Sequence, residues 1–556
     1  MKDSTFVDDE RKNAIQMSST ERQLLSGDSA IALAALHGGV ALGTGYPGTP
    51  STEILEYLSH IGGKAQWSPN EKVALDVGIG VAYGGARSLV TMKHVGLNVA
   101  ADPFFSVAHT GVVGALVVVS ADDPGMASSQ NEQDNRRYAV AAAVPMLEPS
   151  DSQEAYDFTL AAIEISERWK IPVLLRVTTR VCHTQAPVQP RAAVPPPQPH
   201  FEHDLRGRNL IPSNARPAHR RLRQKLSEMN EWSETTPLNH VIPGDKKLGI
   251  ITSGVCFMHA REAAPDASFL KLGFTHPLPL KKIAEFVRSV ERCVVIEEGD
   301  PYLADAIRAA GLKIESKPEM FRFGELNVDR VRRILAHDTS AEPVRPPGKP
   351  PELCDGCGHH VVFQALHNLD CIVAGDIGCY ALGVLPPYSA MDCCVCMGSS
   401  IPIGLGLRHV LPPAEAKRVV SVIGDSTFVH SGMTGLAEMI YNPPPTGHVV
   451  IILDNSTTAM TGHQEHPGTG RTLDHAATGK VVYENLGKTL GIEDVRVFPL
   501  GKDCAEFQQM LVEALASEKL VLIVVRRPCV LAAKNIREFE NRNQCTRSCD
   551  GASQPR

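Results

Sequence analysis

Two strand-like runs in the last third of the chain end in oxygen-bearing side chains. SVIGDST closes its apolar stretch at Gly424-Asp425-Ser426, and HVVIILDNSTTAMTG closes at Asp454-Asn455, with Asn455 thirty residues beyond Asp425. A hard divalent cation such as Mg2+ takes an octahedron of oxygens, a few from protein and the others from phosphate and water. Asp425, the amide of Asn455 and a nearby backbone carbonyl offer such a set, and Gly424 lets the backbone approach a phosphate closely. GD and DN are also common turn dipeptides. Taken alone, the pair reads either as a metal–diphosphate site or as two ordinary strand-to-loop turns.

Thiols offer a second chemistry. Cys354-Asp-Gly-Cys357-Gly is a CxxCG element, compatible with zinc, a redox pair or an iron–sulfur cluster. Cys379 follows in GDIGCY, 22 residues beyond Cys357, and Cys529 in VVRRPCV, a further 150 residues on. No second CxxC of zinc-ribbon spacing accompanies them. Cys393, Cys394 and Cys396 in MDCCVCMGSS are crowded for one cubane and read as lining a cofactor pocket, Cys396 among them as a cofactor contact. Cys182, Cys256, Cys293, Cys371 and Cys504 have apolar neighbours and read as core thiols.

The first third carries candidate proton-transfer and substrate groups. Glu71 precedes a Gly- and Ala-rich helical stretch, a position for a buried carboxylate; Ser68-Pro69-Asn70-Glu71 is equally a capping box, with Ser68 at the N-cap and Pro69 opening the helix. Thr49, in YPGTP, sits in a strand-to-helix loop whose N–H groups favour a substrate carboxylate, or else it is an N-cap. Lys93 and His94 end a strand, where they bind substrate or move protons, or form a solvated pair.

These residues need elements to position them. At 556 residues the chain exceeds what one hydrophobic core serves, and roughly 100–200 residues per domain predicts three or four. After a polar tail at 1–20, strand-like runs (Ala41–Tyr46, Ser88–Met92, Ala115–Ser120, Pro172–Val177) alternate with helical patterns over 21–184, which predicts a parallel α/β domain. Residues 185–246 turn Pro-rich, then Arg-rich, and read as a linker with a helical excursion. A smaller α/β domain follows at 247–343, with strands in GIITSG and CVVIEEG. Beyond a Pro-rich joint, VRPPGKPP, a third α/β unit spans 351–530 and a polar tail fills 531–556. The predicted fold class is multi-domain α/β, in which ligands collect at the carboxyl ends of parallel strands.

Composition excludes several functions. Hydrophobic residues at 43% and charged residues at 21% match ordinary globular domains. The formal net charge is 55 minus 62, or −7, with no Lys/Arg run to track a phosphate backbone, so nucleic acid is not expected as a partner. The amino terminus has no apolar segment of the kind that opens a signal peptide or anchor. The longest apolar stretch, Gly111–Ser120, is too short for a bilayer, so no membrane partner is expected. Fourteen cysteines without an export signal suit a reducing, cytoplasmic compartment.

GYPGTPSTE, NEKVA, TMKHVGLNVAADP, LCDGCGHH, GDIGCYALGVLPP and the GDS…LDN pair together resemble the large subunit of indolepyruvate:ferredoxin oxidoreductases, in the 2-oxoacid:ferredoxin oxidoreductase superfamily, over residues 21–530. The resemblance implies thiamine diphosphate as cofactor, with 21–184 as its pyrimidine-binding domain, 351–530 as its diphosphate-binding domain and 247–343 as a transketolase-C-like domain between them. It implies Mg2+ held by Asp425, Asn455 and the Thr457 carbonyl, with Gly424 and Ser426 beside the diphosphate. Ser426 stands where the motif usually has Gly, and Asn455 is followed by Ser456. By the same resemblance Glu71 contacts the pyrimidine ring and stabilises its imino tautomer, SSQNEQDNR at Ser128–Arg136 is a loop over the active site, and Cys354, Cys357, Cys379 and Cys529 hold a [4Fe-4S] cluster.

The activity implied is oxidative decarboxylation of an arylpyruvate, such as indolepyruvate or phenylpyruvate, with coenzyme A to the aryl-acetyl-CoA. A cluster suits this, because oxidation after decarboxylation removes two electrons and a nearby one-electron carrier takes them in turn. Two other readings are a non-oxidative thiamine-diphosphate decarboxylase or carboligase and a catalytically silent scaffold subunit. The implied partner is a smaller γ-like subunit, in a heterotetramer. Large subunits of this family ordinarily end in a ferredoxin-like domain with two sets of clustered cysteines. This sequence closes with REFENRNQCTRSCDGASQPR, whose Cys545 and Cys549 cannot ligate two cubanes, so electrons are expected to pass to a separate ferredoxin or a cluster-bearing partner.

Overall fold

ALVVVSAD at Ala115–Asp122 is buried at all 8 positions, and HVVIILD at His448–Asp454 at all 7. Strands this apolar have no face to give to water, so each must lie inside a sheet covered by helices on both sides, the setting of parallel strands. The structure, a computed structural model, has that α/β form. It describes residues 21–343, 351–501 and 504–550, the stretch 543–550 by backbone alone. The expected tail at 1–20, most of the Pro-rich joint, and the side chains of Cys545 and Cys549 lie outside the described residues. The chain divides into two units between Pro343 and Val344.

In the first unit, a seven-stranded sheet runs edge to edge through Phe274–His276, Met146–Leu147, Val173–Thr178, Ala115–Asp122, Arg87–Lys93, Val40–Gly45 and Ala65–Trp67. All neighbours are parallel except the first pair, which is antiparallel. A five-stranded sheet orders Glu315–Ser316, Arg292–Ile296, Asp245–Ser253, Ala267–Leu272 and Asn239–Ile242, antiparallel only at the last pair.

Two stretches depart from the sequence reading. Residues 185–246, read as a linker, supply the strand Gln185–Val188, paired with Gln23–Ser26, the 22-residue helix Pro212–Ser233 and the strand Asn239–Ile242. The helix is hard to read because only Ala218, Leu222, Met229 and Ser233 are buried along it. Phe274–His276, from the stretch assigned to the smaller domain, instead covers an edge of the first sheet. Three residues are too few to announce a strand by alternation.

Buried ion pairs tie this unit together. Arg136, 1% exposed, pairs with Asp134 at 2.6 Å and Glu297 at 2.8 Å, and donates to the carbonyls of Glu298 and Asp300. Against the upward push of burial, Arg136 holds the Asp134 carboxyl down to about 2. Arg176 likewise bridges Asp122 at 2.7 Å and Glu148 at 2.6 Å.

The second unit is a wholly parallel five-stranded sheet in the order Ile372–Ala374, Val419–Gly424, His448–Asp454, Leu520–Arg526, Asp494–Pro499. Val422, Ile451 and Ile523 on one face pack with Phe363, Leu366 and Phe507 from covering helices, and Ile423, Ile452 and Val524 pack with Phe428 and Leu436 on the other. The stretch at 531–556, read as a polar tail, is helical over Ala533–Asp550. One side of it docks: Ile536 is buried and Phe539 stacks on His475 with 4.0 Å between ring centroids. Among the described residues no helix is long and apolar enough to cross a membrane.

His448 opens its strand fully buried, its Nε2 2.8 Å from the Ser421 hydroxyl and its Nδ1 without a partner. Burial, aided by the Arg408 guanidinium, pushes its pKa well below the usual 6.5. The unfolded chain therefore takes up a proton near pH 6.5 that the folded unit refuses until much lower pH, so stability is lost as pH falls below about 6.5. In urea denaturation, His448→Gln should lose stability between pH 6.5 and 5 with a slope shallower by up to about 1.4 kcal/mol per pH unit. Equal slopes would contradict the assignment.

Candidate active site

The register of the second sheet pairs Gly424 with Leu453, so Asp425 and Asp454-Asn455 emerge side by side at the carboxyl ends of neighbouring parallel strands. Asp425 is buried; its Oδ1 accepts from the Ser426 N–H at 2.9 Å and its Oδ2 from the Ser456 N–H at 2.8 Å. The Asn455 amide oxygen accepts from the Thr457 N–H at 3.1 Å, across a turn in which Ser456 takes a φ of 60°. The Thr458 hydroxyl donates to Ser426 Oγ at 2.9 Å. Burial and then the neighbouring Asp425 push the Asp454 carboxyl up, against Arg526 at 2.7 Å.

Two buried carboxylates side by side, flanked by amide and carbonyl oxygens, form a hard-oxygen donor set that fits Mg2+. Asp425, Asn455 and the Thr457 carbonyl would hold it. At Gly424 a Cβ would come within 2.6 Å of the Tyr380 ring, so the missing side chain makes room for Tyr380.

Cys354, Cys357, Cys379 and Cys529 all line one cavity, together with His359, Leu453, Asp454, Asn455, His463 and Arg527. The Cys529 N–H donates to the Asn455 carbonyl at 3.0 Å, which joins the thiol site to the oxygen site through one backbone bond. Burial, then Cys529, Cys357 and Cys354 in turn, push the Cys379 thiol up to about 11, so the four sulfurs share one electrostatic environment. Zinc bonds sulfur at about 2.3 Å, which places tetrahedral sulfurs about 3.8 Å apart. No three of these sulfurs lie within 4.8 Å of one another. As they stand, the sulfurs are not gathered at the spacing of a zinc tetrahedron, and four thiols facing one cavity would suit a polynuclear cluster.

Cys393 is half-buried, and Cys394 and Cys396 are exposed. The Cys396 N–H and carbonyl both engage the Ser399 hydroxyl, at 3.2 and 2.7 Å. Of the expected core thiols, Cys182, Cys256 and Cys293 are buried, whereas Cys371 and Cys504 are half-buried.

In the first unit Glu71 is buried and opens the helix Glu71–Tyr83. The N-cap is Asn70, whose side chain accepts from the Val73 N–H at 2.9 Å, not Ser68. Ser68 lies too early to reach the free N–H groups and bonds the Thr44 hydroxyl at 3.1 Å instead. The Glu71 carboxylate lies against Gly96, where a Cβ would meet its Oε1 at 2.6 Å.

Thr49 occupies the turn before the helix Thr52–His60, but the cap position belongs to Ser51. Gly48 closes that turn, donating its N–H to the Thr52 hydroxyl at 3.0 Å and accepting from the Ser51 hydroxyl at 2.9 Å. Lys93 and His94 are buried and are not a solvated pair. Lys93 Nζ donates to the Ser128 carbonyl at 2.7 Å and His94 Nε2 meets the Asn131 carbonyl at 3.0 Å, so both hold the loop that begins at Ser128. Burial pushes the Lys93 pKa down, opposed by Asp123.

Sequence reasoning passed over three groups. Asp376, fully buried, accepts from the N–H groups of Gly398 at 2.8 Å and Ser400 at 3.0 Å, and so shapes the turn that carries Cys396. His359, the residue after CxxCG, is buried, and burial pushes its pKa down to about 4. His466 brings Nε2 within 3.4 Å of Asp425 Oδ2. The first two stand inside GDIGCY and LCDGCGHH, where cysteines drew the attention; His466 lies in a loop with no periodic signal.

Residues 33–231 match the family described as pyruvate flavodoxin/ferredoxin oxidoreductase, thiamine diphosphate-binding. Residues 376–525 match the C-terminal thiamine-pyrophosphate-binding domain of thiamine pyrophosphate enzymes. The chain is 39% identical to the indolepyruvate oxidoreductase subunit IorA of Methanothermobacter marburgensis, over 93% of this chain and 88% of that one. It is 36% identical to the subunit of the same name from Archaeoglobus fulgidus, over 94% and 89%, and 35% identical to that from Pyrococcus horikoshii, over 92% and 86%. With two thiamine-diphosphate-binding α/β regions and this identity along nearly its whole length, the chain belongs to the IorA family of 2-oxoacid:ferredoxin oxidoreductase subunits.

Proposed function

We propose that this subunit carries out the oxidative decarboxylation of an arylpyruvate of the indolepyruvate or phenylpyruvate type, with coenzyme A as acyl acceptor. Mg2+ and one [4Fe-4S] cluster accompany thiamine diphosphate, and a smaller γ-like subunit completes the enzyme. The observation that carries this reading is the single cavity lined by Cys354, Cys357, Cys379 and Cys529 along with Asp454 and Asn455. The substrate class is supported by relatives named for indolepyruvate at 35–39% identity.

Thiamine diphosphate, when bound, supplies the carbanion chemistry that releases carbon dioxide from a 2-oxoacid, and the cluster supplies a one-electron sink. The protein's part is to place and tune these groups. Asp425, Asn455 and the Thr457 carbonyl hold the metal, with the N–H groups of Ser426 and Ser456 fixing the Asp425 carboxylate. Glu71 keeps a buried carboxylate for proton transfer on the pyrimidine. Lys93 and His94 anchor the Ser128–Arg136 loop over the substrate, Thr49 orients the substrate carboxylate, and Cys396 contacts the cofactor. Electrons leave to ferredoxin or to a cluster-bearing partner subunit.

The test is anaerobic co-expression with the small subunit and a panel of 2-oxoacids with coenzyme A and a viologen dye. Dye reduction and aryl-acetyl-CoA formation with indolepyruvate and phenylpyruvate, in preference to pyruvate, are expected, with about four irons per chain. Aldehyde release without dye reduction would point to a non-oxidative enzyme, and failure to bind thiamine diphosphate with Mg2+ would point to a scaffold. Either result overturns the proposal.

A further inference from the structure

A second constellation lies in the first unit, among residues that the proposed chemistry leaves unused. Asp28, Glu53 and His183 come from three different elements: the first turn of the helix Gly27–His37, the first turn of Thr52–His60, and the last turn of Thr179–His183. One ligand atom from each lies within 4.8 Å of the other two, the sole such trio among the described residues. Packing fixes this convergence. A Cβ at Gly27 would come within 2.1 Å of the Val181 carbonyl, so the start of the first helix is pressed directly onto the segment that ends in His183.

Asp28 is the telling member. It is 1% exposed, and no hydrogen-bond donor other than the neighbouring Cys182 thiol serves its carboxylate oxygens, which face the Glu53 carboxyl. The nearby Cys182 thiol is at best a weak donor. A buried, unpaired carboxylate is costly unless it is neutralised by a proton or a cation. Burial pushes its pKa well above the usual carboxylate range, with Glu53 adding to the rise. Glu53 and His183 are exposed and can turn toward it, leaving the outer coordination positions to water.

We propose that Asp28, Glu53 and His183 form a divalent-cation site, separate from the Mg2+ ligands at Asp425 and Asn455. One imidazole nitrogen with two carboxylates suits a first-row transition ion such as Mn2+ or Zn2+ better than Mg2+ or Ca2+, which favour all-oxygen shells. The two carboxylate charges balance the ion, and ligand distances of about 2.0–2.2 Å are reached by small rotations of the two exposed side chains.

Mn2+ is the probe of choice, because it leaves soft thiolates alone. The full chain, anaerobic and saturated with Mg2+ and thiamine diphosphate, is titrated with Mn2+ and the bound ion counted by electron paramagnetic resonance. Wild type should bind one more Mn2+ per chain than Asp28→Asn, and His183→Ala should weaken that site by roughly tenfold or more. Electron-spin-echo modulation from an imidazole nitrogen should be lost from the extra ion in His183→Ala, with any modulation from His466 beside the Asp425 site common to both proteins. Excess Mn2+ should raise the melting temperature of wild type but not of Asp28→Asn. Should Asp28→Asn fail to fold, His183→Ala carries the comparison, since its ring is exposed. Equal Mn2+ counts in all three proteins, or bound Mn2+ without a nitrogen signal, would overturn the proposal.

Discussion

Cys354→Ser is expected to abolish viologen reduction while leaving the chain folded. Serine is nearly isosteric, Cys354 is exposed at the cavity rim, and its backbone carbonyl, which accepts from the Cys357 N–H at 3.0 Å, is untouched. A cluster short of one thiolate is lost or degraded. The fall in acceptor reduction should therefore exceed the roughly 10- to 100-fold that loss of a mere outer-shell partner costs a metal site. Iron content should drop below about four per chain, and the resonance of the dithionite-reduced chain should weaken in step. A variant that kept both its iron and its dye reduction would remove the cluster from the mechanism.

The second large effect is expected at Glu71. Glu71→Gln keeps shape and burial but cannot take or share a proton, and general acid–base groups typically contribute 10²–10⁴-fold. A fall in kcat of about that size is expected, with the KM for thiamine diphosphate little changed, since Asp425 and Asn455 are intact. Exchange of the cofactor's thiazolium hydrogen with deuterated water should slow by a similar factor. Gly96→Ala provides a companion: its Cβ would press within 2.6 Å of the Glu71 carboxylate, so it should slow the same exchange without removing the acid. Glu71→Gln at full rate would remove this carboxylate from the proton transfer.

The sequence was most informative where apolar runs end in polar residues. The strands read at Ser88–Met92 and Ala115–Ser120 occur as Arg87–Lys93 and Ala115–Asp122, because a buried parallel strand is written as a continuous apolar run. The adjacency of Asp425 and Asn455 follows from the parallel pairing of two such runs. The helix Pro212–Ser233 and the strand Asn239–Ile242 were obscure, since one buries few positions and the other is paired from one side only. Cap positions also shifted. Ser68 and Thr49 have the right residue types, but Asn70 and Ser51 stand nearer the helix starts. Asp376 was invisible because its role lies in folding back on the N–H groups of Gly398 and Ser400, residues far along the chain.

Phe274–His276 has a consequence for how the chain matures. This segment shields the open side of Met146–Leu147, and uncovered strand edges invite pairing with other chains. A ribosome must therefore deliver the strands Asp245–Ser253 and Ala267–Leu272 of the other sheet before that shield exists. Until then the nascent chain presents an uncovered strand edge at Met146–Leu147, open to pairing with other chains. A fragment ended at residue 246 should for the same reason self-associate, whereas one extended to Pro343 should stay dispersed.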